Sequence, residues 1–299
     1  MDTIVEPNAK ATKATKATKA ATKSKVLKNS TAEPPISKLR QDYLIQARWK
    51  HASFIRQVID SIKDLMSYIN MDWDTAGIRI QGMDDAHVAL SNIFISSEDC
   101  EYYHVREGIT VGAYLYSMSK ILAIAEPTDS CEFFIKSDLD SNLSIKFQSE
   151  DGSKEALFEI PLLDIETELL EIPEKDYDNE VRIASSEVPT TIRDMSFLGD
   201  SVEFTVNFDE FKLKIQGENG KGQRSWKSTT CKILMKNNEE RQLIQRFHIN
   251  YIIRALKATS TTQTLLLEFS ANNPLRITCM FGQKSSIINF LAPKIEDDD

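Results

Sequence analysis

A chain of 299 residues with 41% apolar content can fill one large folded domain or two ordinary ones. It has no uncharged apolar run long enough to cross a membrane and no apolar leader core, which predicts a soluble, non-secreted protein with no membrane partner. The charge is uneven: residues 1–40 hold nine bases and three acids, net +6, and the rest hold 27 bases and 42 acids, net −15. An acidic body excludes phosphate contact over the whole surface, yet leaves room for one basic face.

In chain order, residues 8–25 repeat Lys-Ala-Thr, with lysines at 10, 13, 16 and 19. So little apolar surface cannot offset the entropy of ordering, so residues 1–42 are expected to form a disordered basic tail. A strand-like run follows at Tyr43–Lys50. Phe54, Ile55, Val58, Ile59, Ile62, Leu65, Met66 and Ile69 then form a helical stripe that predicts a helix over 53–69, with Arg56, Gln57, Asp60 and Lys63 opposite. A second helix is predicted over 115–125, burying Leu115, Met118, Ile121, Leu122 and Ala125 and exposing Lys120. A third, over 187–198, has Ser185 or Ser186 as its cap and Pro189 in its first turn. A fourth, over 248–258, buries Ile249, Ile252, Ile253 and Leu256 and exposes Asn250, Arg254 and Lys257. Period-2 runs such as Ser130–Lys136, Leu143–Gln148, Val202–Asn207 and Thr264–Ser270 predict strands.

These elements repeat at an offset of about 135 residues. The run from Gly77 to Asp84 returns from Phe211 to Asn219, helix 53–65 overlies 188–200, helix 115–125 overlies 250–260, and the strand pair at 131–147 overlies 264–281. The expected fold class is α+β, with two copies of one helix–strand module at 43–161 and 179–299, the second ending in an acidic tail. An acidic, proline-bearing connector is expected at 162–178.

Residues for catalysis or metal binding are not arranged for either. His51, His87, His104 and His248 lack ligand spacing, and the four cysteines (Cys100, Cys131, Cys231, Cys279) are scattered without a C-x-x-C pair, which predicts buried thiols in a reducing compartment. Gly217-Glu218-Asn219-Gly220-Lys221-Gly222 has two residues between its first two glycines where a phosphate loop needs four, so it reads as a hairpin turn. A non-enzymatic protein without cofactor or metal is expected.

Several segments resemble the eukaryotic sliding-clamp family, proliferating cell nuclear antigen. They are Ile62-Lys63-Asp64-Leu65, Gln81-Gly82-Met83-Asp84 before His87-Val88, Ser117-Met118-Ser119-Lys120-Ile121-Leu122, Ile172-Pro173-Glu174, Arg193-Asp194-Met195-Ser196, and the end Leu291-Ala292-Pro293-Lys294-Ile295-Glu296. The similarity spans residues 44–299. It implies a DNA-clamp fold of helices on curved antiparallel sheets, a head-to-tail homotrimer around non-specifically bound duplex DNA, and a processivity role in the nucleus, or in a viral replication compartment if the protein is viral. Related readings within the fold are a checkpoint-type clamp subunit and a monomeric viral processivity factor.

The resemblance also implies sites. Arg56, Lys63, Lys120, Arg193, Arg254 and Lys257 would line the DNA channel, although Gln57, Ala123, Thr190 and Asn250 stand where the family usually has bases. Met83, Leu90, Leu170, Ile172, Pro274 and Phe290 would form a pocket for clamp-binding peptides of a DNA polymerase and other partners. His87 and the backbone through Ala292, Pro293 and Ile295 would bond the peptide's extended part. Phe290 stands where the family usually has tyrosine. A clamp loader is a further implied partner.

Overall fold

Ile55, Val58, Ile59 and Ile62 recur at helical steps, and all four are buried in α1 (Ala52–Ile62). Full burial of such a side chain contributes roughly 1.5–3 kcal/mol, so this one stripe is enough to seat the helix on a sheet. The expected helix over 53–69 stops early, because Ile69, Met71 and Trp73 also lie two apart. The alternation wins there, and β2 (Tyr68–Asp74) buries all three. Leu65 and Met66 stay in the core from the intervening turn.

The computed structural model describes residues 43–166, 170, 176–236, 242–271 and 273–294. The tail expected at 1–42, much of the connector, Ile172 and Ile295 lie outside the described residues.

The first half runs β1 (Ile45–Trp49), α1, β2, β3 (Gly77–Met83), β4 (Ala89–Ser96), β5 (Tyr102–Val105), β6 (Ile109–Tyr114), α2 (Leu115–Leu122), β7 (Ser130–Ile135), β8 (Asn142–Gln148) and β9 (Glu155–Pro161). The second half runs β10 (Asn179–Ala184), α3 (Glu187–Met195), β11 (Ser201–Asn207), β12 (Glu210–Gly217), β13 (Gly220–Lys227), β14 (Lys232–Met235), β15 (Gln242–His248), α4 (Ile249–Ala255), β16 (Thr264–Phe269), β17 (Leu275–Phe281) and β18 (Ser285–Leu291). Element for element the halves match.

Pairing repeats as well. β1 lies between β5 and β7, and β10 lies between β14 and β16; β2 lies between β3 and β6, and β11 lies between β12 and β15. Each half therefore contributes one sheet ending in its last strand and one ending in the strand after its β3 or β12. Within the chain β18 pairs with β4 in antiparallel register, Phe290 opposite Leu90, which fuses two of these sheets into a nine-stranded one, β14-β10-β16-β17-β18-β4-β3-β2-β6. Among the described residues the other two sheets, β5-β1-β7-β8-β9 and β13-β12-β11-β15, have β9 and β13 as unpaired edges at one end.

The Gly217–Gly220 segment is the expected hairpin, with Gly217 opposite Gly220 in the register. Gly220 takes a positive φ of 131°, a backbone that glycine adopts without strain. The third and fourth helices are as long as expected only when the 3-10 turns Ser196–Leu198 and Leu256–Thr261 are included. Ile253 departs from the expected burial. Ile249, Ile252 and Leu256 bury, but Ile253 sits on the shoulder of the stripe and is 36% exposed.

Candidate nucleic-acid interface and partner site

The four helices form one layer. α1 packs against α2 and α4, and α4 packs against α3, giving the order α2, α1, α4, α3. Their apolar stripes face the sheets, so the opposite sides carry what the sequence put there. Lys63, Lys120, Arg193, Arg254 and Lys257 are exposed and Arg56 is half-buried. Two cavities open on this layer. One, of 540 Å³, brings Lys63, Arg193 and Lys257 together around Ile253, and the other, of 450 Å³, is lined by Asn250, Arg254 and Lys257.

Acids temper this face. Asp60 sits 2.7 Å from the Lys63 ammonium and 3.5 Å from the Arg56 guanidinium, and it accepts the Ser119 hydroxyl at 2.9 Å. Burial raises the Asp60 carboxyl, but bonds from Lys63 and Ser119 and the charges of Lys63 and Arg56 outweigh it and hold it below its ordinary 3.8. Asp64 pairs with Lys257. Lys120 and Arg254 instead lie against aromatic faces, of Tyr116 at 5.2 Å and Tyr251 at 5.8 Å.

On the nine-stranded sheet, Met83 is opposite Leu90 and Leu90 is opposite Phe290. Directly paired residues share a face, so the three side chains form a row across β3, β4 and β18. All three are partly exposed, as an apolar binding surface requires and a core does not. Leu170 is 40% exposed and is fixed by Gln81, whose side chain accepts its N–H at 2.7 Å and donates to its carbonyl at 2.9 Å.

Upstream, Asn70 donates to Ile165 at 2.8 Å, and Leu163 bridges to Gly112. A side chain at Gly112 would put its Cβ 2.0 Å from the Leu163 carbonyl oxygen, so the close approach needs glycine. Nothing local in the sequence marks Asn70, Gln81 and Gly112 as connector anchors. A polar side chain bonding to backbone far along the chain leaves no local signal.

His87 is exposed and adopts φ 57°, unusual for a non-glycine residue. It is held there by Asp84, buried in the turn, whose carboxylate accepts from the N–H groups of Ala86, Val88 and Ala89 at 3.1, 2.8 and 2.6 Å. Pro274 is exposed, and its carbonyl accepts the Tyr177 hydroxyl at 2.9 Å. At the C-terminal end Ala292 donates to Val88 at 2.9 Å and Lys294 donates to Arg246 at 2.7 Å. Pro293, between them, has no N–H to donate.

Among the described residues no group of three or more His, Cys, Asp or Glu could hold a metal, and no helix is long and apolar enough to cross a membrane. The four cysteines are free. Burial pushes the Cys100 thiol, with Asp99 beside it, and the Cys279 thiol up to about 12, which keeps both protonated and weakly nucleophilic.

Comparison with known proteins matches both halves. The family model for the N-terminal domain of proliferating cell nuclear antigen covers residues 44–169, and the model for its C-terminal domain covers 171–295. Proliferating cell nuclear antigen of Chaetomium thermophilum is 29% identical over 260 residues, 86% of this chain and 100% of that protein. That of Dictyostelium discoideum is 28% identical over 258 residues, 85% of this chain and all of its own length. Two consecutive domain matches, on a chain whose two halves share one topology, lead to one conclusion: the chain belongs to the proliferating cell nuclear antigen family and is a DNA sliding clamp, a processivity factor for DNA synthesis.

Proposed function

We propose that three copies close head to tail around duplex DNA, with the helical layer inside, and that the outer row carries replication and repair proteins by a short peptide. The observation that carries the ring is the β18–β4 junction. It joins the last strand of one half's first sheet to the fourth strand of the other half's second sheet. By the same topology β9 and β13 are a matching pair of ends, and a single copy leaves both open. Pairing β9 of one copy with β13 of the next repeats the internal junction and covers two edges that otherwise invite aggregation.

Inside such a ring Arg56, Lys63, Lys120, Arg193, Arg254 and Lys257 face the phosphates. Contacts of this kind hold a duplex without reading its sequence, which a sliding device requires. Outside it, Met83, Leu90 and Phe290, with Leu170, Ile172 and Pro274, take apolar side chains of a clamp-binding peptide. His87 and the chain from Ala292 through Pro293 to Ile295 bond its extended part. A DNA polymerase, a clamp loader and a place in the nucleus complete the reading. Light scattering of the purified protein tests the ring: the expected mass is three times 33.9 kDa. A single 33.9 kDa species at micromolar concentration would overturn it.

A further inference from the structure

Beside the basic helical face runs a row of exposed aromatic rings. Tyr68, at the start of β2, lies opposite Tyr114, at the end of β6, and the rings stack with centroids 5.1 Å apart. Tyr116, in the first turn of α2, continues the row 5.9 Å from Tyr114, and Lys120 one turn further on closes it. The three tyrosines are 55%, 38% and 59% exposed. A cross-strand pair supports a sheet, and that accounts for Tyr68 and Tyr114. It does not account for Tyr116, which is on the helix and is the most exposed of the three.

We infer that this row is a stacking platform for unpaired bases of single-stranded DNA adjoining the encircled duplex, with Lys120 meeting the neighbouring phosphate. The inference rests on the duplex-binding role proposed for the helical face, and the row is continuous with that face. Lys120 belongs to both, and its neighbour Ser119 is bonded to Asp60 on α1 and to Lys63 at the C-terminal cap of that helix. Chemistry favours this occupant. Bases in a duplex already stack on one another, so open aromatic faces serve only unpaired ones. Stacking is sequence-tolerant because every base has a π-face, and a lysine at the end supplies the phosphate attraction. A clamp with this platform would favour the junction where duplex gives way to template strand.

The test measures fluorescence anisotropy of the full-length protein with three labelled DNAs that share one duplex. The first is blunt, the second has a short oligothymidine overhang, and the third has an overhang of abasic residues with the same phosphates. The thymidine overhang should bind at least about fivefold tighter than the abasic one. Tyr116→Ala should bring that ratio near one, and Tyr116→Phe, which keeps the ring, should preserve it. Equal affinity of the wild type for both overhangs would overturn the platform. If blunt-duplex binding still fell on replacing Lys63 and Arg193, the duplex reading would survive that result. A changed assembly mass for Tyr116→Ala would show the row to be a contact between copies, and would equally overturn the inference. Failure to bind any of the three DNAs would remove the duplex reading and the platform with it.

Discussion

At the scale of single residues, the helical face is a balance rather than a uniform basic surface. Asp60 holds both Lys63 and Arg56, and Asp64 holds Lys257. A phosphate must compete with these carboxylates, so substitutions of acid and base should move DNA affinity in opposite directions. Asp60→Asn should tighten duplex binding a few-fold and steepen its salt dependence. Lys63→Ala should weaken binding and flatten the slope by about 0.9 per lost contact. Titration of duplex at several salt concentrations reads both. The same carboxylate gives a sign for stability. Its depressed folded pKa means that its contribution is present above 3.8 and is lost as pH falls through the folded value. Asp60→Asn lacks that contribution at every pH, so it should be less stable than wild type near neutral pH, and the difference should shrink as pH falls below 3.8, measured by denaturant unfolding followed by circular dichroism at each pH.

The outer row has a comparable dependence on individual side chains. Burial of each large apolar side chain of a peptide contributes roughly 1.5–3 kcal/mol before ordering costs. Leu170→Ala with Ile172→Ala should weaken a glutamine- and aromatic-containing clamp-binding peptide at least about tenfold, a change that 1.4 kcal/mol produces. Gln81→Ala removes both bonds that fix Leu170 and should weaken the same peptide with no change at the Met83–Leu90–Phe290 row. Calorimetry on wild type and variants measures this. Unchanged affinity in well-folded double mutants would mean that the peptide docks elsewhere.

At the scale of elements, the open strands matter most. β9 is an edge whose exposed and half-exposed residues alternate up to Glu159. A proline at Leu157, whose N–H lies on the side of β9 away from β8, removes one edge N–H and constrains the backbone locally. It should leave the fold largely intact and shift the assembly towards monomer in light scattering, whereas an unchanged mass would place the contact between copies on other strands. The duplication was legible because each half writes its helices and strands at the same offset. The ends of elements were harder to read. Leu65, Met66 and Ile69 fit a helical step and Ile69, Met71 and Trp73 fit a strand step, and only the packing of the sheet decides between them. Ile253 shows the same limit, since an apolar residue on the shoulder of a stripe can face a cavity as easily as the core. The bases on the helices were legible one by one from amphipathicity. Their acidic partners from a neighbouring helix, and the alignment of Met83, Leu90 and Phe290 across β18 and β4, depend on pairings between residues as much as 200 apart. The tyrosine row was missed for that reason: Tyr68 and Tyr114 meet only through the β2–β6 register.

At the scale of the whole molecule, an acidic chain of net charge −9 binding DNA is consistent once the bases lie on the inside of a ring and the acids largely outside. Long-range repulsion from the outer surface and short-range attraction within make for a weak, salt-sensitive hold, which suits movement along a duplex. What keeps such a protein on DNA is then topology rather than affinity. The direct measurement is retention on a nicked circular plasmid, after loading by a clamp loader, in salt high enough to abolish phosphate contacts. The protein should co-elute with the circle and be released once a restriction enzyme linearises it. Release from circle and linear DNA at the same rate would contradict encirclement, whatever the mass in solution.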